Sequence, residues 1–305
     1  MSALESSIHR VLHILIPKLK SPSTQLHHPI VLGITGLQGS GKSTWASIIV
    51  DILQSQYQLR AITLSLDDLY KAHDGLVEQR EKDPANNLFR TRGQPGTHDE
   101  QLASQFFSSL RNQDADSELR IPRFDKSKFH GEGDRLPEAE WPVVKGAVDI
   151  LVFEGWCLGF QALPEDEVKR KYEASFSGTA QSQEEPESTN TLADHALSHL
   201  QDVNQNLRRY NESFMGPEHF DFLIHLDTDN LKNVYHWRAQ QEEALIRSKG
   251  SGMSYEAVAA FVRGYMPAYE LYLDGLRSGF FARNTGRQIR VVLDGERNVA
   301  DLEVI

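Results

Sequence analysis

The apolar positions of the chain fall into two kinds of run. One kind is short, continuous and bounded by turn formers: PIVLGITG at 29–36, RAITLSL at 60–66, VDILVF at 148–153, DFLIHLD at 221–227 and QIRVVLD at 288–294. Unbroken hydrophobicity over so few residues predicts strands buried on both faces, as in a parallel sheet. The other kind recurs at intervals of three and four. Leu4, Ile8, Val11, Leu12 and Leu15 predict an N-terminal helix stopped by Pro17 and Pro22. Trp45, Ile48, Ile49, Ile52 and Leu53 predict a second helix from Lys42 to about Ser55. Similar patterns cover 99–111, 230–248 and 254–276, with Pro267 expected to kink the last as a core helix. Strands alternating with helices place the chain in the α/β class: a doubly wound, mostly parallel five-stranded sheet with helices on both faces.

Three stretches stand outside that pattern. Residues 70–98 and 121–141 are rich in Gly, Pro, Asp, Arg and Lys and read as long working loops. Residues 164–193 carry few large apolar groups and much Ser, Glu and Gln, so a poorly ordered acidic insertion is expected there. The division expected is residues 1–28 as helix and linker, and 29–305 as one α/β domain carrying this insertion.

Charge and composition narrow the function classes. Thirty-two basic against 43 acidic residues give a net charge of −11. That balance repels nucleic acid and anionic lipid at long range, so neither is an expected partner. No apolar run approaches the roughly 18 residues of a membrane span. Cys157 is the single cysteine, which excludes an internal disulfide and a Cys-rich zinc site. His195 and His199 lie four apart but find no third ligand, so a solvated helix face is the default reading. The N-terminus is amphipathic rather than signal-like, and the expected location is cytoplasmic, with the nucleus left open.

The chemistry begins at GLQGSGKST, which fits G-x-x-x-x-G-K-[ST] between a strand and a helix. Gly36, Leu37, Gln38, Gly39, Ser40, Gly41, Lys42, Ser43 and Thr44 are the candidate nucleotide-binding residues. Glycines let successive amides curl toward phosphate oxygens, and the helix that follows adds its own free amides and positive dipole end. In such a loop the lysine meets the β- and γ-phosphates and the Ser43 hydroxyl meets Mg²⁺. ATP and Mg²⁺ are therefore the expected cofactors.

Acids at strand ends come next. Asp67 and Asp68 close the second strand in SLDDLY, and Glu154 closes the third in VFEGW. Ligands of open α/β sheets bind at that edge. Asp67 is the candidate base for a substrate hydroxyl and, with Ser43 and Glu154, a candidate metal ligand. Asp68 and Tyr70 beside it are candidates for contacting the acceptor. Arg92, His98 and Asp99 in RTRGQPGTHDE, and Lys126 and Arg135 in PRFDKSKFHGEGDR, are further acceptor candidates, since mobile cations suit an anionic substrate. Arg238, on the helix after the fourth strand, is the candidate lid arginine for the moving phosphoryl group.

Taken together, GLQGSGKST, SLDDLY, RGQPGTHD, FDKSKFHGEGDR, DILVFEGWCLGF, NVYHWRAQQE and RGYMPAYELYL resemble the D-glycerate 3-kinase family of plants and its fungal kinase-like relatives. More distantly the layout is similar to the uridine kinase, phosphoribulokinase and pantothenate kinase group. The resemblance implies a P-loop NTPase kinase fold with long substrate and lid insertions. It also implies phosphoryl transfer to a hydroxyl of a small metabolite, with Asp67 as base and Glu154 as Mg²⁺ partner. Leu69 stands where uridine kinases usually carry Phe, which speaks against a nucleoside acceptor. A kinase for a pantothenate- or nucleoside-type acceptor, or an ATP-binding regulator without transfer activity, are the alternatives. Oligomeric state is not legible.

Overall fold

The computed structural model describes residues 2–20, 29–177, 187–250, 252–282 and 285–305. In chain order its elements are α1 (Ala3–Leu19), β1 (Ile30–Gly36), α2 (Lys42–Tyr57), β2 (Ala61–Ser65), α3 (His73–Lys82) and α4 (Glu100–Arg111). Four short strands follow: β3 (Glu118–Arg120), β4 (Phe124–Asp125), β5 (Asp134–Arg135) and β6 (Val143–Lys145). The chain continues through β7 (Ile150–Gly155), α5 (Glu165–Ser175), α6 (Leu197–Tyr210), β8 (Phe222–Asp227) and α7 (Asn233–Lys249). It closes with α8 (Tyr255–Arg263), α9 (Met266–Ser278), β9 (Gln288–Leu293) and β10 (Val299–Val304).

The main sheet runs β10-β9-β8-β1-β7-β2. Its four pairings from β9 to β2 are those of parallel strands, as the continuous apolar runs predict. Every residue of β1, β7 and β8 is buried, which is what two helical layers over a sheet require. A sixth strand was not expected. β10 pairs antiparallel with β9, and its polar, half-exposed sequence VADLEV hides it from a search for apolar runs. It is an edge strand, where charged and polar side chains are ordinary.

Three further expectations change. The N-terminal helix does not stop at Pro17 but continues to Leu19, and Ile8, Val11, Leu12, Leu15, Ile16 and Leu19 join the same core as the sheet. The supposed kinked helix over 254–276 is two helices, broken at Gly264–Tyr265; Pro267 sits in the first turn of α9, where its missing amide costs nothing. The acidic stretch expected to be poorly ordered contains α5. Val168 is fully buried, Tyr172 packs against the core, and Lys171 Nζ donates to the Glu270 carbonyl at 2.9 Å. Thr191 and Leu192 are buried beyond it. Residues 178–186 of that insertion and the linker at 21–28 lie outside the described residues.

Candidate active site

The sheet order brings three strand ends together. β7 lies between β1 and β2, so the loop after β1, Glu154 near the end of β7 and the turn after β2 share one edge. Register places Glu154 beside Ile34 of β1 on one side and Ser65 of β2 on the other. A cavity of about 1360 Å³ opens over this edge. Its walls are the 38–44 loop, the turn at 65–70, the segments 89–97 and 126–132, and the α7–α8 region with Arg238, Gln241, Met253 and Phe261.

The loop after β1 has the conformation a phosphate cradle needs. Gly39 and Gly41 take φ of 79° and 91°, a region that L side chains rarely adopt. At Gly39 a Cβ would also lie 2.6 Å from Trp237 Cβ. Lys42 Nζ donates to the Leu37 carbonyl at 3.0 Å, folded back along its own loop. Burial holds its amine below the ordinary range, against the pull of Glu154 and Asp67. Two buried polar atoms of the loop, Gln38 Oε1 and Ser40 Oγ, have no hydrogen-bond partner among the described residues. Such orphans are expected where a polar ligand completes the site. Outside the loop, the Gln38 amide donates to Tyr269 Oη at 3.1 Å, and Arg297 Nε donates to the Gly39 carbonyl at 2.6 Å. The same guanidinium donates to the Trp237 carbonyl at 3.0 Å and Gln240 Oε1 at 2.6 Å. Arg297 thus ties the loop to α7, a role the sequence pattern did not suggest; it sits at φ 64° in the tight turn between β9 and β10.

Ser43 Oγ donates to Glu154 Oε1 at 3.1 Å, and Glu154 is buried. A hydroxyl and a carboxylate at hydrogen-bond distance form a hard-oxygen donor set that fits Mg²⁺. No cluster of three His, Cys, Asp or Glu suited to a metal exists among the described residues.

Asp67 lies in the turn after β2, which Ser65 caps by accepting the Asp67 amide at 3.3 Å. Its Oδ1 accepts from Tyr70 Oη at 3.0 Å, and its Oδ2 pairs with Lys126 Nζ at 2.5 Å. Burial pushes its carboxyl up, but the Lys126 ammonium and the Tyr70 hydroxyl are among the groups that together hold it below the usual range. Its neighbour Asp68 does the reverse: burial lifts it despite Arg123. Asp68 accepts from Arg123 Nη1 at 2.8 Å and from the Phe124 amide at 3.1 Å, which anchors the β4–β5 hairpin.

The acceptor candidates divide. Asp68, Tyr70, Arg92 and Lys126 line the cavity. Arg92 Nη1 donates to the carbonyls of Gly131 and Glu132, both at 2.6 Å, and its guanidinium stands 5.9 Å from the Tyr70 ring. His98, Asp99 and Arg135 are not among the lining residues. His98 is fully buried, stacked on Tyr70 with ring centres 4.4 Å apart, and its Nδ1 lies 3.2 Å from Tyr210 Oη. Burial pushes it down to about 3, so it is neutral near pH 7. Asp99 caps α4 through the Leu102 amide at 2.9 Å. Arg135 Nη2 bridges Asp99 Oδ2 and the Tyr70 carbonyl, each at 2.8 Å. These three residues stiffen the wall behind Tyr70. Arg238 lines the cavity from α7, ion-paired to Glu242 at 2.9 Å and lying over the Phe261 ring. Trp156 and Tyr265 also line it, and neither was a candidate from the sequence.

A glycine-rich strand-to-helix loop, two strand-end acids and a helix bordering the cavity, on a parallel sheet, define a P-loop small-molecule kinase. No protein-family model matches the chain. Individual relatives do. The chain is 32% identical over 272 residues to the chloroplastic D-glycerate 3-kinase of Arabidopsis thaliana, covering 88% of this chain and 54% of that one, about half the plant protein's length. It is 34% identical to the probable ATP-dependent kinase TDA10 of Saccharomyces cerevisiae, covering 89% of this chain and 87% of that protein. The solved structure of D-glycerate 3-kinase from Cryptococcus neoformans superposes with a TM-score of 0.85 at 31% identity, covering 98% and 99% of the two chains. The chain belongs to the family of the D-glycerate 3-kinases and related fungal kinases.

Proposed function

We propose that the protein transfers the γ-phosphoryl group of MgATP to a hydroxyl of a small carboxylated metabolite, with D-glycerate the first candidate. One observation carries this reading: the Asp67 carboxylate, Lys42 and the Ser43–Glu154 pair line the same cavity. A binding protein needs the loop and its metal acids. Only transfer needs a further, half-buried carboxylate held beside them.

Asp67 takes the proton of the acceptor hydroxyl as that oxygen forms its bond to the γ-phosphorus. The bond from phosphorus to the β–γ bridging oxygen breaks, and ADP leaves. Lys42 and Arg238 balance charge on the phosphoryl oxygens. Ser43 and Glu154, with Asp67 near them, would hold Mg²⁺. When bound, that ion neutralises phosphate charge and fixes the polyphosphate. Tyr70 orients Asp67, and Arg92 and Lys126 present cations to the acceptor carboxylate, while Asp68, His98, Asp99 and Arg135 support the wall. The relatives named D-glycerate 3-kinase support the acceptor class, and TDA10, named a probable ATP-dependent kinase, supports the donor.

The test is ADP release from MgATP with D-glycerate, other hydroxy acids, pantothenate and nucleosides offered separately. D-Glycerate should give the highest kcat/KM. Faster release with a nucleoside or with pantothenate overturns the acceptor, and no acceptor-stimulated release at all favours a regulator.

A further inference from the structure

Most cations around the cavity are committed to groups that take no part in chemistry. Arg80 pairs with Glu132 at 3.3 Å, Arg92 with two carbonyls, Arg238 with Glu242 and Lys42 with the Leu37 carbonyl. Lys126 differs: its partner, at 2.5 Å, is the candidate base itself. The two adjacent acids hold the same hairpin in different ways. Asp68 grips its rigid start through Arg123 and the Phe124 amide. Asp67 touches only the tip of a flexible side chain on the β4–β5 turn, and the Lys126 side chain is 56% exposed. Lys126 can therefore swing off Asp67 while the hairpin stays anchored. The ammonium end of the pair is open to water, which can take the carboxylate's place as the side chain leaves.

We propose that Lys126 is a cap on Asp67 that the acceptor removes: the acceptor's carboxylate draws the ammonium away and leaves Asp67 Oδ2 facing the incoming hydroxyl. This inference rests on Asp67 being the base. It assigns Lys126 two duties. It binds the acid group of the correct acceptor, and in the acceptor's absence it keeps water from using the base. A neutral acceptor has no group with which to draw the ammonium away. Selectivity for a hydroxy acid over the corresponding polyol then comes from the chemical step as well as from binding.

The experiment measures ADP release from MgATP by wild type, Lys126→Met and Lys126→Arg, with no acceptor, with D-glycerate and with glycerol. In Lys126→Met, acceptor-free hydrolysis should rise several-fold. KM for D-glycerate should rise at least about tenfold, as loss of one charge-assisted contact implies. KM for ATP and Tm should not move. Lys126→Arg should restore both wild-type values, and Asp67→Asn/Lys126→Met should lose the extra hydrolysis. Acceptor-free hydrolysis that does not rise in Lys126→Met overturns the proposal, even if KM for D-glycerate increases. Two outcomes separate it from the reading beneath it. Wild-type turnover in Asp67→Asn brings down the base. An inactive Asp67→Asn beside an unaltered Lys126→Met brings down the cap alone.

Discussion

Ser43 and Glu154 stand 111 positions apart in the chain and meet at 3.1 Å. Parallel pairing of β1 with β7 brings them together: it sets Glu154 beside Ile34, just before the loop that presents Ser43 at the start of α2. Either partner alone is an ordinary surface-seeking residue; together they make a part-buried pair of oxygen donors at the cavity edge.

Removing half of that pair should be read out in the metal. Glu154→Gln and Ser43→Ala are each expected to raise the Mg²⁺ concentration for half-maximal turnover by roughly 10–100-fold, the usual cost of disturbing a metal's oxygen shell. Titrating Mg²⁺ against ADP release checks this. An unchanged midpoint in a folded variant would show that the pair is structural.

The neighbouring acids should separate cleanly. Asp67→Asn keeps one acceptor oxygen but no useful basicity, so turnover should fall by about 10²–10⁴-fold with ATP affinity little altered. Asp68→Asn weakens the grip on Arg123 and the Phe124 amide, so its chief effect should be a lower Tm. Calorimetric ATP binding, turnover and melting on both variants decide it. A dead Asp68→Asn beside a wild-type Asp67→Asn would reverse the assignment.

Arg297 reaches the Gly39 carbonyl, the Trp237 carbonyl and Gln240 together. Arg297→Met keeps the stem and loses all three contacts. ATP KM should rise by about tenfold, since hydrogen bonds to a charged donor are worth about 1.5–3 kcal/mol, and acceptor KM should stay put. Equal effects on both constants would indicate general loosening instead.

Glu270 makes stability depend on pH. Burial lifts its carboxyl to about 7, although its Oε1 accepts the Thr191 amide at 2.7 Å and the Thr191 hydroxyl at 2.5 Å. Asp194, itself paired with Arg263, pushes it up further. The folded value exceeds the unfolded one, so the folded state prefers the proton. The resulting stability is fully present below about 4.5 and is lost as pH rises through about 7. Glu270→Gln carries no such titration. Its Tm minus that of wild type should grow between pH 5 and 8; a constant difference would show that Glu270 does not titrate in this range.

What the chain announces and what it conceals follow from the range of the interactions. β1, the glycine loop and α2 are legible because one local motif demands all three. Asp67 and Glu154 are legible because each ends an apolar run, and every parallel strand ends at the same edge. α5 is concealed because few of its apolar groups bury, chiefly Val168 and Tyr172, while the rest of its surface is charged. β10 is concealed by its edge position. His98 looked like a substrate cation because nothing near it in sequence reveals Tyr210, which lies 112 positions away and helps seal it in a neutral state. Arg297 gave no signal at all, since its partners lie on α7 and on a loop near the opposite end of the sequence.

That last separation has a temporal side. Gly39 and Arg297 are 258 positions apart. A ribosome adding about 5–20 residues each second needs roughly ten seconds to a minute to travel that far. Throughout that interval the glycine loop exists without its clasp to α7. That clasp closes only when β9 and the turn beyond it have been made and have docked beside β8. Folding intermediates that lack this turn should bind ATP weakly, which keeps unfinished kinase from consuming it.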